Sequence, residues 1–189
     1  MIVLFLGRNV KEYESCQEEK IAQLLNAGNF RCELCSRQMT AHSNYPRGIR
    51  ETGQKITITM VWCRKCRKWH ALLPDFLLPN KHYSGNEIES VIIDSASEPV
   101  KLIDSAASES TVRRWINLVG KKINRAINIL KYMFGLAGRA VSEAALYTGS
   151  VYSELEQILD MAPSIEKYSG NKLGLANLWL GTNGRGVYI

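Results

Sequence analysis

Two different hydrophobic periods run through this 189-residue chain. Between Lys55 and Trp62, Ile56 and Ile58 alternate with Thr57 and Thr59, the period of a half-buried strand. Residues 1–6 form a short continuous apolar run, which reads as a buried strand. Residues 10–27 instead carry Val10, Tyr13, Ile21, Leu24 and Leu25 at helical spacing, with Gly28 as the stop. The longest helical pattern comes later. Val112, Ile116, Val119, Ile123, Ala126, Leu130 and Met133 step by four and three residues, a heptad-like seam. Such a seam packs inside its own domain or pairs two copies in a homodimer; packing within the domain is the simpler expectation.

Local signals punctuate these elements. Residues 36–53 are polar and basic and read as a loop or irregular ribbon. Pro74 and Pro79 rule out a continuous helix after Trp69 and predict an extended apolar strap to about Tyr83. Ser84 with Glu87 three residues on is a capping box, opening a helix to about Ser95. Pro99 suits a first helical position and predicts a second short helix to about Ala107. Ser108 or Ser110 then caps a third. Beyond Gly135–Gly138, residues 142–147, 151–161 and 173–180 read as further short helices.

The cysteines change the picture most. Cys32 and Cys35 form one Cys-x-x-Cys knuckle, Cys63 and Cys66 another, and the predicted strand leads into the second. A knuckle offers two thiolates along one edge of a tetrahedron, and two knuckles close the coordination shell of one structural Zn2+. Two separate redox motifs joined by a hairpin would be a rare arrangement. His70 offers an alternative nitrogen ligand, but its expected role is packing behind the knuckle. Cys16 lies in a helical pattern and reads as a small buried hydrophobe. The predicted fold class is α+β: a small four-cysteine zinc ribbon with a β-hairpin, then a mainly α-helical helix-turn-helix region. The expected divisions are residues 1–83 (strand, helix and ribbon), 84–139 (helix-turn-helix with an extended basic helix) and 140–189 (a helical tail).

Charge adds a direction. The net charge is +6, and it is unevenly placed. From Arg31 to His70 there are nine Lys/Arg against Glu33 and Glu51; from Ser110 to Arg139 there are seven and no acid. Two acid-poor basic blocks fit two contact surfaces for a polyanion. Helix, turn and then Ser108 to Trp115 is the layout of a helix-turn-helix. Its last helix would enter the major groove of double-stranded DNA, with Thr111, Arg113, Arg114, Asn117 and Lys121 as candidate contacts. Arg113 and Arg114 are the expected base readers. Arg64, Lys65, Arg67 and Lys68 crowd the second knuckle and are expected on phosphates.

The two knuckles, the segment His70 to Pro74 with Phe76 and Pro79, and the helix start at Ser108–Trp115 carry a resemblance. Residues 32–115 resemble an uncharacterised bacterial zinc-ribbon and helix-turn-helix family, similar to the N-terminal DNA-binding region of insertion-sequence transposases. The resemblance implies binding to element ends. About 75 residues follow Trp115, fewer than a ribonuclease-H-like catalytic domain needs, so transposition catalysis is not expected.

The expected function is zinc-dependent DNA binding, as a mobile-element accessory factor or regulator. The alternative is a zinc-ribbon adaptor that binds another protein. No enzyme is expected: four cysteines leave no open position on the metal, and no His-Glu-x-x-His or Gly-x-Ser-x-Gly occurs. The apolar runs are too short to span a bilayer, so no membrane partner is expected. Knuckled cysteines suit the reducing cytoplasm.

Overall fold

The computed structural model describes residues 2–7, 9–32, 34–136, 150–162, 168, 170–182 and 188–189. The fold is α+β, with a four-stranded mixed sheet and five α-helices among the described residues. The predicted helix at 142–147 lies outside them.

The sheet has the order β1-β4-β3-β2, with β1 Ile2–Leu4, β2 Thr40–Gly48, β3 Lys55–Cys63 and β4 Lys68–Pro74. The alternating run becomes β3, pairing antiparallel with both neighbours. Two expectations need correction. The polar loop at 36–53 contains a nine-residue strand, β2. It alternates poorly because it is an edge strand with nearly every side chain exposed. Its register comes from β3, and an edge also tolerates Pro46. The strap, in turn, begins as β4 inside the sheet. The apolar run at the start of the chain finds its partner there, and β1 pairs β4 in parallel, Leu4 opposite Pro74. With β1 on one side and β3 on the other, β4 is an interior strand of the sheet, and it is continuously buried from His70 rather than alternating.

Helix α1 (Val10–Asn26) is capped by Asn9, whose side chain accepts from the Glu12 amide. It lays Tyr13 and Ile21 on the sheet with Ile56, Ile58, Leu72 and Leu73. The Tyr13 hydroxyl donates to the Thr57 carbonyl at 2.7 Å and its ring meets Phe76 edge-on.

A second core begins one residue after the first ends. Leu77 packs in the sheet core and Leu78 in the helical one. The helical core joins α2 (Gly85–Asp94), α3 (Glu109–Leu136), α4 (Val151–Asp160) and α5 (Lys172–Thr182). Ser84 caps α2 by accepting from the Glu87 amide at 3.2 Å. Only half of the capping box forms. Glu87 turns to Ser105 and Ala106, and Glu51 from the β2–β3 turn accepts the Ser84 amide instead. The predicted helix from Pro99 shrinks to one 3-10 turn, Val100–Leu102, with Ile103 already extended. The seam is one 28-residue helix, about 42 Å long. Val112, Val119, Ile123, Ala126 and Leu130 are buried in this chain's own core, as packing within the domain requires. Glu89 links α2 to α5 by accepting the Leu173 amide, and Lys131 pairs with Glu154 between α3 and α4.

Candidate metal centre and its basic surroundings

The ribbon brings its four cysteine sulfurs together from two turns built alike. In the first, the Ser36 amide donates to the Cys32 carbonyl at 2.8 Å; in the second, Arg67 donates to Cys63 at 2.8 Å. Ser36 and Arg67 each follow the second cysteine, and each adopts a left-handed conformation, φ 55° and 53°. That bend turns the chain back after the ligand pair. The first turn is closed by an isolated bridge between Arg31 and Gln38, the second by the Cys63–Lys68 end of the β3–β4 hairpin.

All four sulfurs of Cys32, Cys35, Cys63 and Cys66 lie within 4.8 Å of one another. A tetrahedron with metal–sulfur bonds near 2.3 Å has edges of about 3.75 Å, so the cluster fits one ion. Cys35 and Cys63 sulfurs are 3.5 Å apart, and the Cys66 amide points at the Cys63 sulfur at 3.5 Å. That amide holds the Cys63 thiol below its usual pKa, while hydrogen bonding to Cys35 and burial push Cys66 up. Four thiolates this close repel one another; a bound dication removes that penalty and draws off the protons. The four cysteines can hold a metal ion. His70 is not in the cluster; it is buried in β4, opposite Val61. Cys16 is also apart, its thiol donating to the Glu12 and Leu6 carbonyls.

Around the second knuckle, Arg64, Lys65, Arg67 and Lys68 are exposed. On α3, Arg113, Arg114, Asn117 and Lys121 are exposed and Thr111 half-buried, on the side away from the seam. Their local states differ. Arg113 is held by Glu109 one turn earlier, at 2.6 Å, and Asn117 donates to the Arg113 carbonyl at 3.0 Å. Arg114 instead lines a cavity with Lys81 and Arg50.

Three features were missed from sequence. Arg47, counted only as part of a basic run, is buried and donates to the Leu78 and Lys81 carbonyls. His42 and His82 occupy distinct surroundings. His42 sits at a register shift of β2 and packs edge-on against Trp69, centroids 4.3 Å apart; His82 lines the cavity with Arg114. The signals were present as a histidine between exposed polar residues and as Lys81-His82-Tyr83 in the strap. Neither becomes legible until the strands are paired.

Residues 32–115 are similar to a family described as "Domain of unknown function (DUF6431)". The match begins at Cys32, the first cysteine of the cluster, and ends at Trp115 in the second turn of α3. No curated protein and no solved structure matches the chain. Among the described residues, no helix is long and apolar enough to cross a membrane.

Proposed function

We propose that this chain is a zinc-dependent double-stranded-DNA-binding protein, an accessory factor or regulator of a mobile element. One observation carries the reading. Cationic side chains emerge from two rigid supports, the second knuckle and the exposed side of α3. Zinc suits the four-sulfur shell, and its role is structural because four protein ligands leave no position for substrate. Arg64, Lys65, Arg67 and Lys68 contact phosphates, while Thr111, Asn117 and Lys121 approach the groove along α3. Element ends are proposed as the target from the resemblance that the two knuckles and the Ser108–Trp115 helix start carry to transposase N-terminal regions.

The test uses purified zinc-loaded protein and a random duplex pool. One preferred sequence should emerge, and affinity should fall steeply with salt. Weak, salt-insensitive binding without preference overturns the reading.

A second reading rests on a different observation. Trp62 and Trp69 pair across β3 and β4 with centroids 4.3 Å apart, and Trp69 remains 46% exposed beside the second knuckle. An exposed aromatic face also suits a protein partner, which makes the chain an adaptor. Trp69→Ala separates the two. It abolishes capture of one partner protein in the adaptor case and leaves duplex affinity nearly unchanged in the DNA-binding case.

A further inference from the structure

A cavity of about 440 Å³ lies where the sheet core meets the helical core. Three separate elements build its walls: Arg50 from the β2–β3 turn, Lys81 and His82 from the strap, and Thr111 and Arg114 from α3. Among the described residues, no carboxylate lines it. The two nearest in sequence are engaged elsewhere, Glu51 on the Ser84 amide and Glu109 on Arg113.

The main-chain segments that carry the strap and turn cations are tied to one another. Arg47 fixes the strap from beneath through the carbonyls of Leu78 and Lys81. The Arg50 amide donates to the His82 carbonyl at 2.8 Å, which ties the turn to the same strap. The Arg50 guanidinium lies 6.0 Å from the centre of the Tyr83 ring, and Tyr83 packs edge-on against buried Trp115. Lys81 feels the crowding: burial, then Lys122 and Arg114, hold its pKa below the usual lysine value. Like charges gathered around one cavity repel one another, and an anion among them relieves that repulsion. Guanidinium forks and a lysine point charge are the groups that recognise phosphate oxygens, and the Thr111 hydroxyl adds a further partner.

We infer that this cavity binds a phosphate group, gripped by Arg50, Lys81 and Arg114. It moves Arg114 from the base-reading role expected of it to a phosphate-binding one. The inference rests on the DNA-binding reading only for the source of the phosphate, a backbone phosphodiester rather than a free phosphate. The site itself is testable without DNA.

Full-length zinc-loaded protein is melted in inorganic phosphate and in chloride at matched ionic strength and pH, alongside Lys81→Gln and Arg114→Gln. Phosphate should raise the parent's melting temperature with a saturable dependence. Either variant should weaken that response by about tenfold, the loss of one charge-assisted contact. In chloride both variants should melt no lower than the parent, because repulsion is relieved; a purely structural role predicts the opposite. In parallel, each variant should lower the salt slope of duplex binding by about one. Loss of the phosphate response with unchanged duplex binding assigns the site to free phosphate. A phosphate response in a protein that binds no duplex upholds the site and sinks the DNA reading. If neither the phosphate response nor the duplex slope depends on Lys81 and Arg114, the inference is wrong.

Discussion

Arg47 on edge strand β2 donates its guanidinium to the main-chain carbonyl of Leu78 at 2.8 Å, across 31 residues of sequence. The same group reaches the Lys81 carbonyl. Leu78 opens the helical core, so this one side chain ties the sheet to the helices. Burial lowers its pKa. Arg47→Met should destabilise the protein by roughly 2–4 kcal/mol, since a buried carbonyl and a partly buried one lose their donor. Urea unfolding measures it; a change below about 0.5 kcal/mol would show that water replaces the guanidinium without loss.

Each chain is expected to bind one zinc ion through Cys32, Cys35, Cys63 and Cys66, and Cys35→Ser to lose high-affinity metal. Chelation should unfold the ribbon, because metal binding and folding are coupled there. The helical core from Leu78 onward buries its own apolar residues and should persist. Near-ultraviolet dichroism of Trp62 and Trp69 should collapse while most helical signal remains. Simultaneous loss of both would mean the two cores unfold as one.

Asp75 supplies a pH prediction. Burial pushes its carboxyl up to about 6 from 3.8, against the Tyr168 phenol, which pulls it down. Folded Asp75 thus holds its proton more tightly than unfolded Asp75. Its contribution is largest below about pH 4 and is lost as pH rises through about 6, a swing of roughly 3 kcal/mol. Asp75→Asn should remove this component. The difference in stability between parent and variant, measured from pH 4 to 7.5, isolates it from the metal's own pH dependence. A constant difference would mean that Asp75 titrates normally.

Glu109 restrains Arg113 through an exposed ion pair. Glu109→Gln should cost below about 0.5 kcal/mol in stability. It should nonetheless tighten duplex binding, by removing an acid and freeing the arginine. Tighter binding of the parent than of the variant would contradict a DNA-facing role for this turn.

On the second knuckle, Lys68→Ala should weaken all duplexes about equally and lower the salt slope by roughly one. A change of sequence preference instead would place Lys68 at base edges.

Much of the fold was legible in the chain because the signals are local. The four clustered cysteines, the helix opened by Ser84 and the seam from Val112 to Met133 depend on spacing within a few turns, and all appear as expected. Less legible were the elements whose conformation is decided by a distant partner. Residues 40–48 are exposed apart from Arg47 and lack alternation, and become a strand only because β3 offers a ladder. Pro99 promised a helix; Ile103, buried in the helical core, extends the chain after a single turn.

The same division runs through the candidate sites. Sequence alone determined the metal-binding chemistry, because Cys-x-x-Cys spacing sets two sulfurs on one edge wherever the turn lies. It also determined which blocks are basic. Only the tertiary structure decided what each cation does. Arg47, Arg50, Lys81 and Arg114 look equivalent in the chain. Folding buries the first under the strap and turns the other three toward one cavity. Burial and electrostatic environment depend on contacts between segments tens of residues apart, and no local pattern encodes them.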